Sequence, residues 1–182
     1  MKEIALHILD IAQNSIAAGA TLIEISVDEQ AQRDMLAINV RDNGRGMSAD
    51  MLSSVESPFS TTRTTRRIGL GIPLFKAGVE AAGGDFSIES EVGKGTLVTA
   101  RYRLSHIDRP PLGDMAQTVS AIIAGREDVD YIYRHSVGEK DFVFDTREAR
   151  NLLAPVSLGQ PEVVVWIREY ISEGINELNG GA

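Results

Sequence analysis

Cysteine is absent from the chain. That excludes a disulfide framework, a zinc–thiolate centre and a cysteine nucleophile, and it fits a reducing compartment. No apolar run is long enough to cross a bilayer, and Met1-Lys2-Glu3 leads straight into a helical pattern without signal-peptide character. A cytoplasmic protein without a membrane partner is expected. A basic excess is also missing: 18 basic side chains face 26 acidic ones, a net charge of −8. A general nucleic-acid binder needs a basic face, so no nucleic-acid partner is expected. The acidity is uneven, with 11 basic and 13 acidic groups in residues 1–104 against 7 and 13 in residues 105–182. No Gly-x-x-x-x-Gly-Lys-Ser/Thr segment is present, so phosphate binding by a P-loop is excluded. What remains is a chain of 182 residues, 43% hydrophobic, enough for a real core in one domain with an extension or in two small domains.

The most informative stretch is Asp42-Asn43-Gly44-Arg45-Gly46-Met47. Before it, Leu36, Ile38, Val40 and Asp42 alternate, so a strand over 35–42 places all four on one face. Three are apolar, which aims the Asp42 carboxylate inward or into a pocket, where it needs a donor partner. Asp-Asn-Gly by itself suits a hairpin turn. Its neighbours raise its weight.

Residues 2–18 have helical spacing. Ile4, Ile8, Ile11 and Ser15 form one row, Ala5, Leu9, Ala12 and Ile16 another, and Glu3, His7, Asp10 and Asn14 a narrow polar row. A polar row on a buried helix must meet partners or line a cavity. Residues 21–28 read as a strand antiparallel to 35–42, with a polar turn from Gln30 to Asp34. Ser48 suits the cap of a short helix from Ala49. Residues 56–68, with Pro58, Arg63, Arg66 and Arg67, read as a loop. Gly69-Leu70-Gly71 opens a helix that Gly83-Gly84 stops. Residues 85–91 and 96–104 form a hairpin around Gly93-Lys94-Gly95. Pro110-Pro111 marks a boundary. Beyond it a helix from Asp114 to Gly125, a small hairpin around Gly138, a short helix after Thr146 and a final helix from Pro161 to about Leu178 are predicted.

Three features line up as a site. The first helix presents Asp10 and Asn14. A strand end presents Asp42 before its glycine turn. Gly69-Leu70-Gly71 offers free amides at a helix N-terminus, which favour phosphate, with Arg63, Arg66 and Arg67 just before it. Asp42 can accept from an exocyclic amine such as that of adenine. Asn14 offers a neutral oxygen to Mg²⁺. Asp10, one turn before, can orient or deprotonate a water or hydroxyl.

In this order and at this spacing the segments resemble the GHKL superfamily, the nucleotide-binding fold shared by DNA gyrase, the large heat-shock chaperones, histidine kinases and MutL. Asp10-Ile-Ala-Gln-Asn14 resembles its N box, and the wording from Asn14 to Thr21 is close to MutL. Asp42 to Met47 matches the first glycine box. Pro58-Phe59-Ser60-Thr61-Thr62 is similar to the motif before the lid, Gly69-Leu70-Gly71 to the second glycine box, and Gly83-Gly84 with Gly93 to Thr96 to the closing segment. The resemblance covers residues 1–104. It implies a two-layer α+β sandwich of the Bergerat type, with a mixed, mainly antiparallel sheet and helices on one face, over residues 1–107. A small α+β extension follows over 108–182.

The resemblance also implies ATP with Mg²⁺ as cofactors. Asp10 would be the catalytic group and Asn14 the metal ligand. Asn14, Asp42, Gly44, Gly46, Met47, Thr61, Thr62, Arg63, Arg67, Gly69, Leu70, Gly71 and Thr96 would bind the nucleotide. Three positions depart from the family pattern. Asp10 stands where its ATPases usually have Glu, Ala17 where they often have Asp, and Arg67 replaces the first glycine of the second box. Asp10 and Ala17 shift the expectation from a MutL-like slow ATPase toward a protein kinase acting in trans or a nucleotide sensor. A kinase in trans or a regulatory nucleotide-dependent switch is expected, with the slow ATPase and the pure sensor as alternatives. A stand-alone protein without an acceptor-bearing helical hairpin is expected, and His106 and His135 are not read as phosphoacceptors. Trp166 is read as core or subunit contact. A protein partner is expected through residues 108–182, and a homodimer is a second expectation.

Overall fold

A computed structural model describes residues 3–56 and 71–180. In chain order the elements are α1 (Ile4–Ala17), β1 (Leu22–Gln30), β2 (Met35–Asp42), α2 (Ala49–Glu56), α3 (Gly71–Ala81), β3 (Asp85–Glu91), β4 (Gly95–Arg103), α4 (Met115–Gly125), β5 (Asp130–Val137), β6 (Lys140–Asp145), α5 (Thr146–Leu153) and α6 (Pro161–Leu178). The strands form one mixed sheet in the order β3-β4-β2-β1-β5-β6, antiparallel except where β5 runs parallel to β1. Among the described residues, no helix is long and apolar enough to cross a membrane.

The period-two pattern of β2 sets the two faces. Leu36, Ile38, Val40 and Asp42 are buried, while Arg41 is exposed. Register carries the pattern across the sheet. Val40 stands opposite Ile25 and Val98, Ile25 opposite Tyr133, and Tyr133 opposite Phe144. These side chains and the buried rows of α1, α3, α4 and α6 belong to one hydrophobic cluster. The other face carries exposed Glu24, Arg41, Arg101 and Arg134, so the helices cover one face only.

The boundary expected at 107/108 falls in the connection between β4 and α4, and the sheet continues across it. Two contacts tie that connection to the first helix. α1 has no side-chain N-cap; its Ile4 and Ala5 amides instead donate to the carbonyls of Pro111 (3.0 Å) and Leu112 (2.8 Å). Backbone donors at a helix start need such partners when buried. Asp114 then caps α4, accepting from the Gln117 amide at 2.8 Å. The polar turn after β1 is shorter than predicted, because β1 runs to Gln30 and a single 3₁₀ turn follows. Ser48 caps α2 through its hydroxyl, accepting from the Met51 amide at 3.3 Å.

Candidate functional site

Asp42 ends its strand with only 8% of its surface exposed. Its donors are both local to the site. The Ser15 hydroxyl donates to Oδ2 at 2.6 Å and the Gly44 amide to Oδ1 at 2.9 Å. Ser15 comes from α1, one residue past Asn14, on the row that otherwise carries Ile4, Ile8 and Ile11. Charge-assisted bonds of this kind hold a carboxylate in one rotamer and keep it worth burying. Each carboxylate oxygen can accept more than one bond, so Asp42 retains acceptor capacity.

That capacity faces a cavity of about 250 Å³. Asn14, Ser15, Asp42, Gly46, Met47 and Thr96 line it together with Arg45 and an apolar wall of Ile11, Met51, Val55, Ile72 and Val98. A mostly apolar pocket with a few convergent polar groups is the usual form of a small-molecule site.

The glycine turn is built into its surroundings. Asn43 clamps the start of β1, accepting from the Thr21 and Leu22 amides at 2.9 and 3.0 Å. The Arg45 amide donates to the Ala18 carbonyl and the Arg45 carbonyl accepts from the Gly93 amide. Gly46 has φ +66°, and a Cβ there would run into the Glu91 carbonyl. Gly44 leaves no room either: a Cβ would lie 3.0 Å from both Ala18 and the Asp42 carboxylate. The Met47 amide donates to Ser90 Oγ at 2.9 Å, and the Ser90 and Thr96 hydroxyls lie 2.9 Å apart. The loop after β2 is thus bolted to α1 on one side and the β3–β4 hairpin on the other.

Asn14, Asp42, Gly46, Met47 and Thr96 therefore meet at one cavity, with Gly44 behind Asp42. Asp10 is half-buried one turn along α1, and Gly71, the first residue of α3, sits against it. A Cβ on Gly71 would stand 3.3 Å from Asp10 Oδ2. Thr61, Thr62, Arg63, Arg66, Arg67, Gly69 and Leu70, with the motif from Pro58, lie outside the described residues. His7, in the polar row of α1, is buried and stacks on Phe75 with ring centroids 4.8 Å apart.

Sequence reasoning did not assign Ser15 or Ser90. Ser15 carried a signal, being the one polar residue in an apolar row of a buried helix. Ser90 had none, because its role depends on the fold of a hairpin 43 residues away from Met47.

A family model described as histidine kinase-, DNA gyrase B-, and HSP90-like ATPase matches residues 1–106. The chain belongs to this family. It carries an ATP-binding domain of the GHKL type. Curated relatives include histidine kinases. The chain is 38% identical over 79 residues to an uncharacterized sensor-like histidine kinase of Rhizobium meliloti, covering 41% of this chain and 15% of that one. It is 36% identical over 98 residues to sporulation kinase D of Bacillus subtilis (54% and 19%). It is 33% identical over 111 residues to the cell-division control histidine kinase PdhS of Brucella abortus (54% and 10%). The chain thus spans between a tenth and a fifth of the length of these relatives. Among solved structures, the N-terminal domain of a DNA repair protein has the same fold, with a TM-score of 0.56 at 12% identity, over 79% of this chain and 52% of that one.

Proposed function

We propose that this chain binds ATP with Mg²⁺ in the Asp42 cavity and acts as a protein kinase in trans. The observation that carries the reading is the Asp42 carboxylate, fixed by Ser15 and Gly44 and turned toward an apolar-walled cavity. In this reading Asp42 accepts from the adenine amine, and Met47, Met51, Val55 and Ile72 enclose the base. A ring of that size buried against these side chains gains hydrophobic stabilisation while the carboxylate sets its identity.

The donor set also suits the metal. Asn14 contributes one neutral oxygen, and Mg²⁺ keeps most of its shell as water and phosphate oxygens. Among the described residues no group of three or more His, Cys, Asp or Glu side chains could hold an ion, so the metal would arrive with the phosphates. Bound ATP supplies the transferable phosphoryl group. Asp10, next to Gly71 at the start of α3, takes the proton of an acceptor hydroxyl or orients an acceptor imidazole. The shorter carboxylate of Asp10 and the methyl of Ala17 on the cavity wall favour transfer to a protein over activation of water.

One observation supports a second reading, a nucleotide-dependent switch. The first amides of α1 are held by Pro111 and Leu112, so a shift of the helix that carries Asn14 is felt by residues 108–180. The test uses γ-labelled ATP and Mg²⁺, following free phosphate and protein-bound label together with candidate acceptor proteins. Label transfer that is lost in Asp10→Asn, with nucleotide affinity within about threefold of wild type, supports the kinase. Retained nucleotide without transfer or release supports the switch. Phosphate release that needs no acceptor and is lost in Asp10→Asn makes the chain an ATPase and overturns both.

A further inference from the structure

The sheet has two edges of opposite character. The β3 edge presents Asp85, Ser87, Glu89 and Glu91 to solvent. Charges of that kind keep an edge strand from pairing. The β6 edge, Lys140-Asp141-Phe142-Val143-Phe144-Asp145, has an apolar centre, and Val143 is 39% exposed. Among the described residues no strand pairs with its outer side. On the helix-bearing side the apolar surface continues. Tyr170 of α6 lies 5.7 Å from Phe142 and 6.0 Å from Phe144, Trp166 stacks on Tyr170 at 5.4 Å, and both remain exposed beside Leu152 of α5. Aromatic patches of this kind are typical of interfaces.

The strand itself selects an occupant. Two copies of β6 paired antiparallel about a two-fold axis normal to the sheet keep their helices on the same side. Only residues of like parity then stand opposite one another. Centring the axis on Phe142 sets Asp141 against the partner's Val143 and Lys140 against the partner's Phe144. Centring it on Phe144 sets Asp145 against the partner's Val143. Centring it on Val143 sets valine against valine and Phe142 against the partner's Phe144, so every apolar side chain meets an apolar one. Asp141 then faces the partner's Asp145. Each carboxylate brings its own cation: Arg134 lies 3.0 Å from Asp141 and Arg147 lies 2.6 Å from Asp145. On the Val143 face each end of the interface therefore holds two carboxylates and two guanidiniums, whose charges balance, while Lys140 falls on the other face.

We propose that β6 is a homodimer edge, joining two six-stranded sheets into one through Phe142, Val143 and Phe144. The inference is independent of the nucleotide reading. Sedimentation equilibrium of the full chain, without nucleotide and at concentrations up to about 100 µM, should show a reversible dimer. Val143→Lys changes an exposed side chain and should weaken the dimer at least about tenfold by placing an unpaired charge in the interface, with the circular dichroism spectrum unchanged. The lack of native cysteine permits a sharper test. Opposed residues in an antiparallel pair stand about 4.5–5.5 Å apart at Cα, within disulfide reach. Val143→Cys should oxidise to a covalent dimer and Ser87→Cys, on the β3 edge, should not. A wild-type monomer throughout the range, or equal cross-linking at the two positions, would overturn the proposal and leave the β6 edge open to a strand of another protein.

Discussion

Two carboxylates stand on the same face of the sheet at opposite ends of β1, and each has a close partner. Asp42 accepts from Ser15 at 2.6 Å and Glu29 lies 2.8 Å from His135 Nε2. The difference lies in what surrounds them. His135 is 1% exposed and uses both ring nitrogens, since Nδ1 lies 2.8 Å from the Tyr133 hydroxyl. A carboxylate only accepts, so Nε2–H donates to Glu29, while Nδ1 shares a hydrogen bond with the Tyr133 hydroxyl. Burial then pushes the Tyr133 hydroxyl well above its ordinary pKa. This cluster spends its donors and acceptors inside the protein and fastens β5 to β1. Asp42 is equally well held, but it borders a cavity and has acceptor capacity left. Burial and good hydrogen bonds alone do not mark a site; unspent capacity facing a cavity does.

The comparison can be broken most directly at Asp42. If Asp42 is the acceptor for the base amine as proposed, Asp42→Ala should weaken ATP binding at least about 100-fold. The thermal midpoint should change little. Unchanged affinity by calorimetry would remove Asp42 from the site. His135→Leu should do the reverse. It leaves Glu29 and the Tyr133 hydroxyl without their partner and should cost about 2–3 kcal/mol of unfolding free energy in a denaturant titration, with ATP affinity retained. A loss of binding as large as the loss of stability would make the two clusters one cooperative unit. Ser15→Ala sharpens the contrast on the cavity side. Removing one charge-assisted bond of two should weaken ATP binding about tenfold while the fold persists.

The smallest effect belongs to a third carboxylate, half-buried and bonded on both oxygens. Asp34 accepts from the Ser105 hydroxyl and amide, both at 2.7 Å, which lowers its pKa below the ordinary 3.8, with Arg103 adding to the shift. A lowered folded-state value stabilises the protein above pH 3.8, and the stabilisation is lost as pH falls through the folded value. Thermal midpoints followed on acidification should therefore drop less steeply in Asp34→Asn than in wild type.

Local and periodic features of this fold were open to reading from the chain. The alternation of Leu36, Ile38, Val40 and Asp42 placed a carboxylate on the buried face, and the helical rows of residues 2–18 placed Asn14 near it. Ser15 was read into the apolar row, because spacing shows which face a side chain is on and not which group it meets there. The β5–β6 hairpin was recognisable, but its parallel seat against β1 was not. Leu22 pairs with Asp130, more than a hundred residues away, and neither strand carries a mark that specifies the other.

The sequence by itself determined the periods, the turns and the order of the motifs, since these follow from side-chain size, φ freedom and polarity within a few residues of each other. Only the tertiary structure decided that Ser15 joins Gly44 at Asp42, that Ser90 holds Met47 beside Thr96, that His135 is spent inside the core, and that β6 is one of the two edges of the sheet. The Gly44 bond is local, but Ser15 reaches Asp42 only through the packing of α1 on the sheet, and the others depend on the register between distant strands, which is set by the packing of the whole hydrophobic face and by no short stretch of chain.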